Sequence, residues 1–150
     1  MSLMNMLVGL PMMLLCLLVQ SATVFWSVRH YVRQTARSGS RESFFASTRP
    51  LLSVMLIMMM GNFVQIAMWG VLFVALHEFD EPYEAIYHST VNFASLGYGD
   101  IVMSKRWKML GALEAVNGVL MLGMTSAALV VILTQLIKGQ RQALGLGLGD

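Results

Sequence analysis

Long runs without formal charge alternate with short segments that hold almost all of the charge. No Asp, Glu, Lys or Arg occurs at residues 1–28, 50–77 or 115–137. Each run exceeds the roughly 20 apolar residues a helix needs to cross a bilayer's hydrocarbon core at about 1.5 Å rise per residue. The pattern predicts an all-α integral membrane protein with three transmembrane helices. The first covers 1–28, with Pro11 tolerated as a kink inside the membrane, and its apolar run is longer than the roughly 7–15 residues of a removable signal's core. The second covers 51–76 and the third 107–137. A basic linker, 29–50, joins the first two, and a glycine-punctuated tail, 138–150, reads as flexible.

Composition narrows the classes further. The chain is 57% hydrophobic and 12% charged, about half the charge of an ordinary soluble domain. Three spans leave too little of 150 residues for a separate catalytic, nucleotide-binding or sensing domain, so no enzyme is expected. A formal net charge of +2 is explained by membrane flanks and points to no nucleic acid. Cys16, the single cysteine, lies inside the first apolar run and permits no intrachain disulfide or metal cluster.

The flanking charges set an orientation. The linker carries Arg29, Arg33, Arg37, Arg41 and Arg49 against one acid, Glu42. With Lys138 and Arg141 this puts seven basic residues on one side, against Lys105, Arg106 and Lys108 on the other. By the positive-inside rule the linker and C-terminus are cytoplasmic and the N-terminus is outside. Arginines at every fourth position form one helix stripe. It follows the apolar run and has no four-helix sensor around it, so it reads as a basic face for anionic lipids and not as a voltage sensor.

The segment between the second and third spans breaks the pattern. It opens with Glu78, Asp80, Glu81 and Glu84, a solvated acidic face. Residues 85–99 then lack charge again but are too few to cross as a helix. Pro82 near the start, with Glu81 and Glu84 complementing the dipole, predicts a short helix over 83–93. The glycines in Ala94-Ser-Leu-Gly-Tyr-Gly-Asp100 oppose further helix. A short helix and a turn back to the same face make a re-entrant loop. Such backbone survives at membrane depth only when buried in protein or lining a water-filled cavity.

Ser95-Leu-Gly-Tyr-Gly-Asp100 resembles the Thr-Val-Gly-Tyr-Gly-Asp filter of tetrameric potassium channels. The context agrees, with an acidic outer segment, a short helix and a charged link into a long helix. The third span around Gly111 and Gly118 is also similar to the inner helix of the voltage-gated and two-pore-domain branches. The resemblance covers 51–137 and implies a homotetrameric pore with an outer helix (51–76), a pore helix (83–93), a filter (95–100) and an inner helix (107–137). It implies K⁺ held by the carbonyls of Ser95, Leu96, Gly97 and Tyr98, with Gly99 completing the filter and Asp100 supporting it. Rings of carbonyls replace the water of a dehydrated K⁺, and glycine permits the φ > 0 that aims them at one axis. Ser95 stands for the usual Thr and keeps the hydroxyl, and Leu96 stands for Val. No organic cofactor is implied. The setting is a plasma membrane, of bacterial type, with an extra N-terminal helix.

Other residues invite two readings each. Gly118 is a candidate gating hinge or a site of close helix packing, with Gly111 and Gly123 competing for either role. Glu114, the one acid inside a span, is a functional candidate by position. It stands behind the filter within reach of Ser89, Thr90, Asn92 or Asp100, or is a neutral, hydrogen-bonded structural group. Asn117 faces either a cavity or a neighbouring helix. Histidine as a residue type changes charge near neutral pH, so His77 and His88 are candidate proton sensors near the outer mouth, and His88 also reads as a structural partner in the pore helix. Three rivals to a potassium channel are a weakly selective cation channel, a non-conducting membrane subunit, and a proton-coupled transporter using Glu114.

Overall fold

A computed structural model describes residues 2–37 and 44–143. Four helices follow in order: α1 (Ser2–Arg37), α2 (Phe44–Ala75), α3 (Pro82–Phe93) and α4 (Lys108–Ala143). Leu3–Ala36, Thr48–Ala75 and Lys108–Arg141 are each long and apolar enough to cross a membrane. The chain is thus an all-α membrane protein, with one short helix and an irregular loop between its second and third spans.

The helices outrun the apolar stretches. The linker expected over 29–50 is largely helix, because α1 continues to Arg37 and α2 begins at Phe44. Nothing from Arg29 to Arg37 breaks a helix, and Arg, Gln and Ala favour one. Arg41 lies outside the described residues. The tail expected from 138 is helical through Ala143. Leaving hydrocarbon removes the need for apolar side chains but leaves the backbone ladder intact, so hydropathy does not mark a helix end.

Helix α1 packs against α2 and α4, and α3 wedges between α2 and α4. The larger core cluster joins Met12 and Cys16 of α1 to Ile66, Trp69 and Phe73 of α2, Phe93 of α3 and Leu110 of α4. A smaller cluster at the other end holds Tyr31, Val54, Met58 and Ile132. Phe73 carries three ring contacts, to Trp69 at 5.8 Å, Phe79 at 6.3 Å and His88 at 5.7 Å. These rings seat α3 and the loop before it on the C-terminal half of α2. Polar keys fix the register of α1. Asn5 Nδ2 donates to the Arg106 carbonyl at 2.9 Å, and Gln20 Nε2 donates to Thr125 Oγ1 at 2.9 Å.

Candidate functional site: the re-entrant loop

The loop grows out of the end of α3. Pro82 occupies the first turn, where its missing N–H costs nothing. At the other end Ala94 N–H donates to the Thr90 carbonyl at 3.1 Å, Ser95 N–H to Asn92 at 2.8 Å and Leu96 N–H to Val91 at 2.9 Å. These bonds close the helix and launch the chain as irregular backbone through residues 96–99. Positive φ then occurs at alternate residues: 56° at Ser95, 59° at Gly97 and 75° at Gly99. Glycine takes that conformation freely, whereas Ser95 is strained by about 1–3 kcal/mol. Alternation of this kind turns successive carbonyls to one side. No hydrogen bond among the described residues is accepted by the carbonyls from Ser95 to Gly99. The loop's side chains are bare in the single chain, with Leu96 at 53% and Tyr98 at 66% exposure.

Hydrogen bonds hold the rear and the outer end of the loop. Tyr87 Oη donates to Asp100 Oδ2 at 2.7 Å. That bond holds the Asp100 carboxyl below the usual carboxylate range and raises the Tyr87 phenol above its own. His88 Nδ1 lies 3.1 Å from the Ile101 carbonyl, and Nε2 lies 2.8 Å from Asn92 Nδ2. A carbonyl only accepts, so Nδ1 carries the proton and Nε2 accepts from the amide. Burial pushes the His88 pKa below the ordinary histidine value. Glu78 clamps the return segment, accepting from Ser104 N–H and Oγ at 2.7 Å each.

Glu114 stands behind α3 and is fully buried. Its Oε2 accepts from Asn92 Nδ2 at 3.3 Å. Ser89 Oγ bridges its Oε1 and the Ile66 carbonyl of α2, the latter at 2.8 Å. One relay therefore runs from the Ile101 carbonyl through His88 and Asn92 to Glu114 and Ser89, tying loop, α3, α4 and α2 together. Asp100 takes no part in it, because its carboxylate is held by Tyr87. Thr90 is also absent, its hydroxyl donating to the Ile86 carbonyl at 2.8 Å.

Gly118 is buried in α4, which runs on as one helix through this point. A Cβ there would meet the Phe93 carbonyl, with Phe93 C at 2.7 Å and Phe93 Cα at 2.8 Å. Close packing against the end of α3 thus accounts for a glycine at this position. A Cβ added at Gly123 would meet nothing within 4 Å, and one at Gly111 would come within 3.0 Å of Asn92 Nδ2. Behind the loop a half-open cavity of about 270 Å³ is lined by His88, Asn92, Gly97, Gly99, Lys108 and Gly111 among others.

Sequence reasoning passed over Tyr87 and the Glu78–Ser104 clamp. The signal for the relay lay in the polar set His88, Ser89 and Asn92, placed on an otherwise apolar short helix. The arginine stripe is set apart from the loop. Arg29 and Arg33 line a cleft of about 460 Å³ with Trp26 and His30.

No curated protein and no solved structure matches the chain. A family model described as "Ion channel" matches residues 59–135, running from the middle of α2 through α3 and the loop into α4. The match covers over half of the chain and spans the whole re-entrant arrangement, so the chain belongs to the ion channel family, as a two-helix pore-loop member with an extra N-terminal helix.

Proposed function

We propose that this protein is a subunit of a homotetrameric, potassium-selective channel that conducts K⁺ passively and performs no chemistry. The observation that carries the reading is the alternation of positive φ at Ser95, Gly97 and Gly99 in a loop whose carbonyls accept no bond from the described residues. Four such loops around one axis would give K⁺ rings of oxygens in place of its water shell. Ser95, Leu96, Gly97 and Tyr98 supply the carbonyls, and the Ser95 hydroxyl lines the innermost site. Ions pass in single file, each weakly held at several sites, so that entry and exit are both downhill with the gradient.

The remaining roles follow from position. Tyr87 and Asp100 hold the outer end of the filter. Glu114, through Ser89 and Asn92, holds the pore helix from behind. The acids of the outer segment concentrate cations at the mouth. The N-terminus lies outside and the C-terminus inside a plasma membrane of bacterial type, where Arg29 and Arg33 meet anionic lipids at the inner face.

The test is flux into liposomes holding the purified protein, driven by K⁺ or by Na⁺, with Gly97→Ala as control. A Cβ at φ 59° opposes the conformation that points the carbonyls. Strong K⁺ preference, lost in the control, is the expected result. Equal K⁺ and Na⁺ flux would make the chain a weakly selective cation channel. Absence of flux from a tetramer under both gradients would favour a non-conducting subunit. Flux that follows a pH gradient, is lost in Glu114→Gln and survives Gly97→Ala would make it a proton-coupled transporter.

A further inference from the structure

Two polar layers lie one helical turn apart where α1, α2 and α4 meet. In the inner layer Gln65 Nε2 donates to Gln20 Oε1 at 2.8 Å, and Gln20 Nε2 donates to Thr125 Oγ1 at 2.9 Å. Gln20 Nε2 also reaches the Met121 carbonyl at 3.3 Å. The outer layer repeats the same three helix faces. Cys16 stands four residues before Gln20, Trp69 four after Gln65, and Asn117 four before Met121, spacings that stack side chains on one face of a helix. Cys16, Trp69 and Asn117 are all fully buried. The Cys16 thiol, a weak hydrogen-bonding group, lies within bonding reach of both the Asn117 amide and the Trp69 indole.

Here the two layers differ. Among the described residues, Trp69 Nε1, both amide atoms of Asn117, and Gln65 Oε1 of the layer beneath have no nitrogen or oxygen partner; what the indole and the Asn117 amide meet instead is the weakly bonding Cys16 sulfur. A buried donor or acceptor left unpaired bears its full desolvation penalty, and in a bilayer there is no bulk water to relieve it. The unpaired set is a matched one: an indole N–H and an amide NH₂ to donate, an amide oxygen and a glutamine oxygen to accept. A buried water molecule makes about 3 bonds to such groups, giving and receiving both.

We propose that Cys16, Trp69 and Asn117, with Gln65 beneath them, enclose internal water that bridges the N-terminal helix to the pore-forming helices. Asn117 lies three residues beyond Glu114 on α4. The water therefore extends the polar layer behind α3 outward to α1. Helix α1 supplies the wall that separates this water from lipid. The site lies inside one chain and does not depend on which ion, if any, the loop conducts.

The test uses the full chain in nanodiscs. Water-to-protein magnetisation transfer is read at the three indole N–H groups, with the Trp69 signal assigned by Trp69→Phe. Trp26, 72% exposed, gives the solvent-contact reference. The expected result is a water cross-peak at Trp69 together with slow exchange of the same proton in D₂O, the signature of water that is present but confined. Absence of a cross-peak at Trp69 overturns the proposal. Asn117→Leu, of similar volume, gives an independent sign. A hydrated site loses a bridging partner, and the unfolding midpoint falls by about 3 °C or more. A dry site sheds an unpaired amide, and a midpoint that stays or rises overturns the proposal.

Discussion

Replacing Gly118 by alanine tests whether the inner helix is shaped around the end of the pore helix. The new Cβ would overlap the Phe93 carbonyl and come within 2.7 Å of Phe93 C and 2.8 Å of Phe93 Cα. Real Cβ contacts do not reach below about 3 Å, and the obstructing atoms are backbone, which cannot rotate away. Either α4 or the last turn of α3 must move. Overpacking of this kind costs about 1–3 kcal/mol, and for a chain of this size each kcal/mol lowers the unfolding midpoint by about 2–4 °C. The displacement also reaches the loop, because Val91 and Asn92, the two residues just before Phe93, accept from Leu96 and Ser95 N–H. Gly118→Ala is therefore expected to lower the midpoint by about 2–12 °C and, on the proposed reading of a potassium channel, to weaken K⁺ over Na⁺ preference in the same preparation. Gly123→Ala is the matched control, on the same helix with nothing within 4 Å of the added atom. There alanine's helix propensity stabilises by up to about 1 kcal/mol. A Gly118→Ala protein as stable and as selective as the wild type would refute the packing argument and return this position to the hinge reading.

Three further outcomes test the relay and the outer end of the loop. Burial holds the folded His88 pKa below that of the unfolded chain, so the unfolded state takes up a proton first as pH falls. The stability that neutral His88 provides is complete above about 6.5 and declines as pH drops below it; denaturant midpoints measured across that range should fall, and His88→Gln should flatten the slope. Tyr87→Phe removes the bond that holds the Asp100 carboxyl down, so acid inhibition of flux should begin at higher pH than in the wild type, and an unmoved inhibition curve would disconnect Asp100 from the outer end. Glu114→Gln keeps an oxygen for the Asn92 amide, whereas Glu114→Leu leaves Asn92 and Ser89 with less than they have, at about 1–3 kcal/mol for each group stranded; thermal unfolding should rank Leu well below Gln, and equal midpoints would mean that the carboxyl does not hold the pore helix.

The three spans were legible because bilayer thickness imposes one length on each apolar run, and a single charge ends it. The short helix and the loop were legible for the converse reason: a charge-free stretch too short to cross, with glycines where a helix would have to continue. What could not be read was set by register between elements. Nothing in the sequence marks Ser95 for positive φ, and nothing in it singles out Tyr87 of α3 over Glu114 of α4 as the partner of Asp100. Gly118 carried two readings because the choice depends on Phe93, which is distant in sequence but lies directly across the interface. The ends of α1, α2 and α4 were misjudged where hydropathy served as a proxy for helix. Arg33 and Arg141 continue the backbone ladder as readily as leucine does.

The polar residues of the spans divide by where they point. Gln20, Gln65, Glu114 and Asn117 are buried within the chain, at the junctions of α1, α2 and α4 or behind α3. Those in bonding contact cross-link the helices from inside and serve one subunit. The loop is the opposite case. Its carbonyls from Ser95 to Gly99 find no donor among the described residues, and Leu96 and Tyr98 are open. Hydrocarbon does not tolerate irregular backbone with unpaired carbonyls, so this surface has to face something polar. On the proposed reading, other copies of the chain shield its sides and a cation occupies its axis. A subunit that bonded its own loop carbonyls internally would be more stable alone and would have nothing left to offer a dehydrated ion.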